Sequence, residues 1–418
     1  MAAAVGSDDK TQPAGVSRQP VTQIQKQLSE GTTTCVRLVQ AFLGNIHRLS
    51  RLNAFLEVFE QEALERAALV DKKIKEGKAG RLRGMVIGLK DNICYKGHRL
   101  SAASKILEGF TSLYSATAVE RLLAEDAIII GRLNCDEFGM GSTNENSAFG
   151  PVLNALDTTK VSGGSSGGSA VAVQAGLCHA ALGSDTGGSV RAPASCCGVV
   201  GLKPTYGRVS RHGLIAYASS FDQIGTLTTT VEDAALLLDV ISGSDDYDST
   251  VSHHSLHHKK EKTRRVAYIR QTLEHPALDS EIKLRIETIL NELKKKGIPV
   301  TEVELPQLDY IVPAYYILTS AEASSNLARY DGVRFGHRSK EASDMDSLYK
   351  KSRTEGFGKE VKRRIMLGTF VLSAGYQDAY YTKAQKVRRL IKEATEKILA
   401  EHDCIIMPVT PGTAYSLG

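Results

Sequence analysis

Two glycine- and serine-rich stretches and one lysine are the parts of this sequence best suited to chemistry. Val161-Ser162-Gly163-Gly164-Ser165-Ser166-Gly167-Gly168-Ser169 and Gly183-Ser184-Asp185-Thr186-Gly187-Gly188-Ser189 flank a small, mostly apolar segment, Ala170 to Leu182. Such backbone bends sharply and exposes hydroxyls and amide N–H groups beside a packed scaffold. Upstream, Gly88-Leu89-Lys90-Asp91-Asn92 places a lysine at the end of an apolar run. A nucleophilic serine, a second serine and a lysine make a hydrolytic site without histidine.

Glycine and serine tracts also occur as flexible linkers. Here the first tract runs into Ala170-Val171-Ala172-Val173-Gln174-Ala175-Gly176, which reads as a packed small-residue helix. The second leads through Arg191 to the apolar Gly198-Val199-Val200-Gly201-Leu202. Both loops therefore belong to the core. A phosphate cradle fits less well, because neither loop has the Gly-Lys-Ser/Thr ending of a P-loop.

The elements that must position these loops read as α/β. Residues 33–49 form an amphipathic helix, with Val36, Leu38, Val39, Phe42, Leu43 and Ile46 following threonines able to cap it. Gly84 to Leu89 is a short buried strand delivering Lys90. Thr117 to Glu125 reads as helix, and Ala127 to Gly131 as a strand buried on both faces, as in parallel sheets. Ser280 can cap a second helix carrying Ile282, Ile286, Ile289, Leu290 and Leu293. Gly297 stops it, and Pro299 to Leu305 alternates as a strand. This alternation predicts helices covering a central sheet.

Composition narrows the class. The 418 residues are 42% hydrophobic and 24% charged, with a dispersed net charge of +5. That is ordinary for a globular chain and argues against a dominant nucleic-acid-binding stripe. No apolar run reaches the roughly 18 residues of a membrane span. Seven cysteines without CxxC spacing read as reduced thiols, consistent with a cytoplasmic protein, with an organelle left open. Residues 1–19 read as a disordered leader and 20–418 as one domain. Asp245 to Arg265 reads as a surface connection, and its His253, His254, His257 and His258 as solvated loop residues rather than metal ligands. No metal site is expected.

The three segments together resemble the amidase signature family, hydrolases that use a Ser–cis-Ser–Lys triad. Residue by residue, Lys90 falls on the family's lysine, Ser165 on its bridging serine and Ser189 on its acylating serine. The resemblance implies an α/β fold with a central mixed sheet covered by helices on both faces, and a cis peptide bond before Ser165. Ser189 needs an adjacent base, and Lys90 serves only if neutral. Lowering its pKa from about 10.4 to about 7.5 costs roughly 4 kcal/mol, which burial can impose. Negative charge developing on the attacked carbonyl needs preorganised donors, for which the N–H groups of Thr186, Gly187, Gly188 and Ser189 are candidates. Asp185 is read as bracing this loop.

Further segments resemble the glutamine-hydrolysing branch of that family, which serves tRNA-dependent amidotransferases. They are Asn134 to Ser142, Tyr206 to Gly213, Gly356 to Phe370 and Ser373 to Tyr381, with Gln377 where the branch more often has tyrosine. The resemblance covers roughly residues 20–412. It implies that Arg364 holds the glutamine α-carboxylate, where the residues alone favour a surface helix arginine beside Arg363. It also implies two partners: a B subunit that binds the mischarged tRNA and uses ATP and magnesium, and a small C subunit that clamps the assembly. No cofactor is expected in this chain, and tRNA contact only through B. Members continue for about a hundred residues beyond a strand like Cys404 to Pro408, so a C-terminally shortened domain is expected. The competing readings are a free-standing amidase for other small amides and an inactive assembly subunit. Specificity for glutamine or asparagine tRNA stays open.

Overall fold

The computed structural model describes residues 19–252 and 265–418. The leader up to residue 18 and the four histidines between 253 and 258 lie outside them. Six strands form the main sheet: β1 Phe55–Val58, β2 Val86–Lys90, β3 Ile128–Leu133, β4 Ala180–Asp185, β5 Val200–Leu202 and β6 Gln223–Thr228. Their order is β1-β3-β2-β4-β6-β5. β2 runs parallel to β3 and β4, while β1, β5 and β6 pair antiparallel with their neighbours. The sheet is mixed, as expected.

Strict alternation along the strands explains why both faces are covered. Val86, Ile128, Ile130, Ala181 and Leu227 face one core, built with the helices Val21–Ser29, Cys35–Arg48, Glu60–Lys75 and Gly167–Gln174. Ile87, Leu89, Ile129, Ala180, Leu182 and Ile224 face the other, under the helices Thr117–Ala124 and Val231–Ile241. The predicted helix at 33–49 is Cys35–Arg48, capped by Thr34 through the Arg37 N–H. Val36 packs only at the edge of its buried face, which Cys35 joins.

Two details differ from the sequence reading. The helix Ser280–Lys295 is capped by Asp279, whose carboxylate accepts the N–H groups of Glu281 and Ile282. A carboxylate beside a helix N-terminus also meets the favourable end of the helix dipole, so Asp279 takes the role assigned to Ser280. The strand expected over 299–305, found as β8 Val300–Val303, does not join the main sheet. It pairs with β7 Val266–Ile269, which pairs with β9 Cys404–Ile406, in a separate parallel sheet ordered β8-β7-β9. Of the apolar residues predicted on the accompanying helix, only Leu290 is fully buried.

Candidate active site

Chain order and space diverge at β2. β3 lies on one side of it and β4 on the other, so a crevice opens at the carboxyl ends of these parallel strands, where α/β sheets place ligands. Lys90 ends β2 and Asp185 ends β4. The first glycine-serine tract meets the ends of the same two strands through Ser165 and Ser166. Its turn is made by Gly163 and Gly164 at φ 73° and 64°, and a Cβ on Gly164 would sit 2.4 Å from Pro193 Cδ. Only glycine fits that turn.

Lys90 is completely buried, and its Nζ lies 2.7 Å from Ser165 Oγ, 2.8 Å from Ser184 Oγ and 3.0 Å from Ser166 Oγ. It forms no ion pair with any described carboxylate. Burial therefore pushes the amine below the ordinary lysine range, against the weaker pull of Asp136, Asp185 and Asp222. Cys135 adds no negative charge, because burial drives its thiol strongly upward and keeps it protonated. A neutral amine offers a lone pair, and three hydroxyls around it can each donate or accept. Ser166 donates to the Ser184 carbonyl, so it accepts from Lys90. Asn92 steadies Ser184 Oγ from 2.9 Å.

Ser189 stands beside this cage at the half-buried mouth of the crevice. Its Oγ accepts the Ser165 backbone N–H at 3.3 Å, and its carbonyl accepts the Ser166 N–H. The structure thus brings Lys90, Ser165 and Ser189 together. Every peptide bond among the described residues is trans. The cis bond implied before Ser165 is therefore not present, and the two left-handed glycines make the reversal instead.

The loop after β4 is braced by Asp185, as expected. Its carboxylate accepts the Gly188 and Val190 N–H groups and two bonds from Arg191. Burial alone would raise its pKa, but Arg191 overrides that and holds it low. The Gly188 N–H is consequently taken, which removes it from the expected oxyanion donors in this conformation. Among the described residues no acceptor is assigned to the N–H groups of Thr186, Gly187 and Ser189. A Cβ on Gly187 would lie 2.5 Å from the Tyr315 ring, so that ring rests directly against the loop.

Arg364 is 5% exposed on the helix Lys359–Val371, whereas the Arg363 side chain is 68% exposed. The surface reading of Arg364 therefore fails. Its Nε bonds Glu360 at 2.7 Å and its Nη1 bonds the Tyr217 hydroxyl at 2.5 Å. Burial opposes its charge, yet Tyr217 and Glu360 raise its pKa further. Through Tyr315, which interacts with both Tyr217 and Arg364, the guanidinium reaches the rim of the Gly187 loop. The N-terminus of this helix is pinned by Glu137, whose carboxylate accepts the Gly358 N–H at 2.9 and 3.1 Å.

The sequence reading missed Ser166, Ser184, Asn92, Asp222, Tyr217, Tyr315 and Glu137. The first two were visible as extra hydroxyls in the tracts already singled out. Asn92 and Glu137 stood inside segments already singled out, Gly88 to Asn92 and Asn134 to Ser142, with nothing local to mark their roles. Asp222, Tyr217 and Tyr315 lie on distant segments without a local pattern. No group of metal-ligating side chains occurs among the described residues, and no described helix is long and apolar enough to cross a membrane.

Residues 37–418 match the family model described as Amidase. The chain belongs to the amidase family. This amidase is 51% identical to the A subunit of glutamyl-tRNA(Gln) amidotransferase from Chlorobium phaeobacteroides over 402 residues, covering 94% of this chain and 84% of the relative. Among solved structures it is similar to the A subunit of glutamyl-tRNA(Gln) amidotransferase from Thermotoga maritima (TM-score 0.73, 40% identity, 92% of this chain and 78% of that one). It is also similar to the native peptide amidase from Stenotrophomonas maltophilia (TM-score 0.78, 29% identity, 95% and 85%).

Proposed function

We infer that this amidase is the glutamine-hydrolysing subunit of a tRNA-dependent amidotransferase. The observation that carries the chemistry is the buried Lys90 amine in its cage of serine hydroxyls, 2.7 Å from Ser165 Oγ, with Ser189 alongside. The relatives are named as A subunits of glutamyl-tRNA(Gln) amidotransferase, and glutamine as the amide hydrolysed is what the resemblance to that branch implies.

As glutamine binds, the Ser189 hydroxyl turns toward Ser165 Oγ and closes the relay; catalytic hydrogen bonds often tighten only in the substrate complex. Ser189 Oγ attacks the side-chain amide carbon. Its proton passes to Ser165, whose own proton passes to the Lys90 lone pair. The carbonyl oxygen gains the negative charge and is met by the N–H groups of Gly187 and Ser189, with Thr186 behind them. When the tetrahedral species collapses, the C–N bond breaks and the leaving nitrogen takes the proton back from Lys90 through Ser165. Ammonia departs, leaving a glutamyl ester on Ser189. Water then cleaves the ester by the same relay, yielding glutamate.

Arg364 holds the α-carboxylate. A guanidinium has five N–H donors, more than Glu360 and the two tyrosines use, and its planar fork matches a carboxylate. The ammonia passes to a B subunit that holds the charged tRNA and uses ATP and magnesium, with a C subunit completing the assembly. This chain itself needs no cofactor. We place it in the cytoplasm, a reading supported by its seven free cysteines.

The test is reconstitution with B and C subunits. Glutamine should convert Glu-tRNA to Gln-tRNA, and Arg364→Ala should raise the glutamine KM roughly a hundredfold, as for loss of a buried charged contact. Conversion with ammonium but never with glutamine would refute the reading. Equal hydrolysis of simple aliphatic amides, indifferent to Arg364→Ala, would favour a free-standing amidase.

A further inference from the structure

Asp222 lies outside both glycine-serine tracts, immediately before β6. It is 3% exposed, and each of its carboxylate oxygens makes a different attachment. Oδ1 accepts the Thr186 hydroxyl at 2.6 Å. Oδ2 accepts the consecutive N–H groups of Tyr217 and Ala218 at 2.9 and 3.0 Å. Thr186 is the first residue beyond β4, at the root of the loop whose N–H groups face the reacting carbonyl. Tyr217 is buried, and its hydroxyl donates to Thr319 Oγ1 at 2.8 Å while accepting from Arg364 Nη1.

A continuous hydrogen-bonded chain therefore runs Thr186–Asp222–Tyr217–Arg364. At one end are the donors for the amide oxygen. At the other is the cation for the α-carboxylate. The register explains how one side chain can serve both. β4 and β6 pair antiparallel with Asp185 opposite Gln223, which sets Asp222 beside Thr186. The turn at 217–222 then folds back, with the Phe221 and Asp222 N–H groups donating to the Ala218 carbonyl.

We propose that Asp222 is a positioning residue that fixes the distance between the oxyanion loop and the carboxylate-holding arginine, and so sets the length of amide substrate this site accepts. The proposal rests on the glutaminase reading for its substrate, but not for its geometry. A glutamine must span both ends at once. A misplacement of about 1 Å at either end is enough to cost on the order of a hundredfold in rate.

The experiment uses the assembled amidotransferase with three single variants. Thr186→Val removes only the hydroxyl link and should lower kcat for glutamine roughly tenfold with KM nearly unchanged. Tyr217→Phe removes the link to Arg364, together with the hydroxyl's bond to Thr319. It leaves the Asp222 contact with the Tyr217 N–H in place, and should raise KM roughly tenfold with kcat nearly unchanged. Asp222→Ala should do both, and should narrow the rate gap between glutamine and asparagine as alternative substrates. In parallel, amide hydrogen exchange in 183–190 and 214–219 should quicken together in Asp222→Ala, while 35–48 stays protected. An Asp222→Ala enzyme that loses only thermal stability, keeping kcat, KM and loop exchange per folded molecule, overturns the proposal. If Asp222→Ala does not fold, Thr186→Val decides through exchange: quickening at 183–190 that does not spread to 214–219 overturns it. If the unmodified complex does not hydrolyse glutamine, the functional reading fails, while the exchange measurement still reports on the coupling.

Discussion

The proposed relay uses Lys90 as its base, a role its surroundings favour by opposing its charge. Burial favours the neutral amine, and three serine oxygens within 3.0 Å replace water without providing a counter-charge. The sign of the pH effect follows. The folded pKa lies below the unfolded one, so the unfolded chain binds the proton more readily. The contribution to stability is thus greatest above the unfolded value and falls as pH drops toward the folded one. Activity follows the neutral form and should decline tenfold per pH unit below the depressed pKa. A profile of log kcat/KM against pH tests this; a profile without an acidic limb would contradict the assignment. Lys90→Ala should lose at least about a thousandfold in kcat. The buried Asp222 and Asp136, pushed up by burial to about 7 and about 6, would alter the limb's shape. On losing a proton each passes from neutral to negative, where Lys90 passes from positive to neutral.

At the scale of elements, the tracts are stiff. The helix Gly167–Gln174 is buried along its whole length, and the turn before it closes against Pro193. Gly164→Ala combines a left-handed backbone with a 2.4 Å clash and should destabilise the fold by about 2–3 kcal/mol. It should also move Ser165, so kcat should fall by more than the loss of folded protein explains; thermal melts beside glutaminase rates separate the two. Strand and helix identities near the site were legible because alternation and 3.6-residue periodicity are local properties of β2, β3 and Cys35–Arg48. Lys90, Ser165 and Ser189 were legible through resemblance, since nothing local distinguishes a strand-end lysine from a solvated one. Asp222 and Tyr217 were not. Their significance exists only after β4 and β6 pair, a contact between segments well separated along the chain. The peptide geometry before Ser165 and the engagement of the Gly188 N–H were likewise invisible, being matters of loop conformation rather than composition.

The whole molecule divides its labour between two sheets. The mixed sheet carries Lys90 at the end of β2 and roots the Ser189 loop at the end of β4, while Ser165 stands on the turn before the helix Gly167–Gln174. Beside the small parallel sheet of β7, β8 and β9, the helix Ser280–Lys295 contacts β8 and contributes one buried apolar side chain, Leu290. β7 is buried, but β8 and β9 beside it are only partly so, and a layer with such edges opens more readily than the main core. Leu290→Ala should remove about 2–4 kcal/mol from that layer. Exchange should quicken in 266–269 and 404–406, with slow amides in β2 and β3 and the glutaminase kcat unchanged. Loss of protection throughout both sheets would show instead that they unfold as one unit.

The complete enclosure of the Lys90 side chain has a practical corollary for covalent ligand discovery. Electrophiles aimed at amines will modify the many surface lysines and leave this one untouched in native protein, although burial lowers its pKa. Warheads selected for serine, small enough to slip past Tyr315, meet the reactive hydroxyl first. Residence on position 189, mapped by peptide mass, would therefore report an intact fold as well as an occupied pocket.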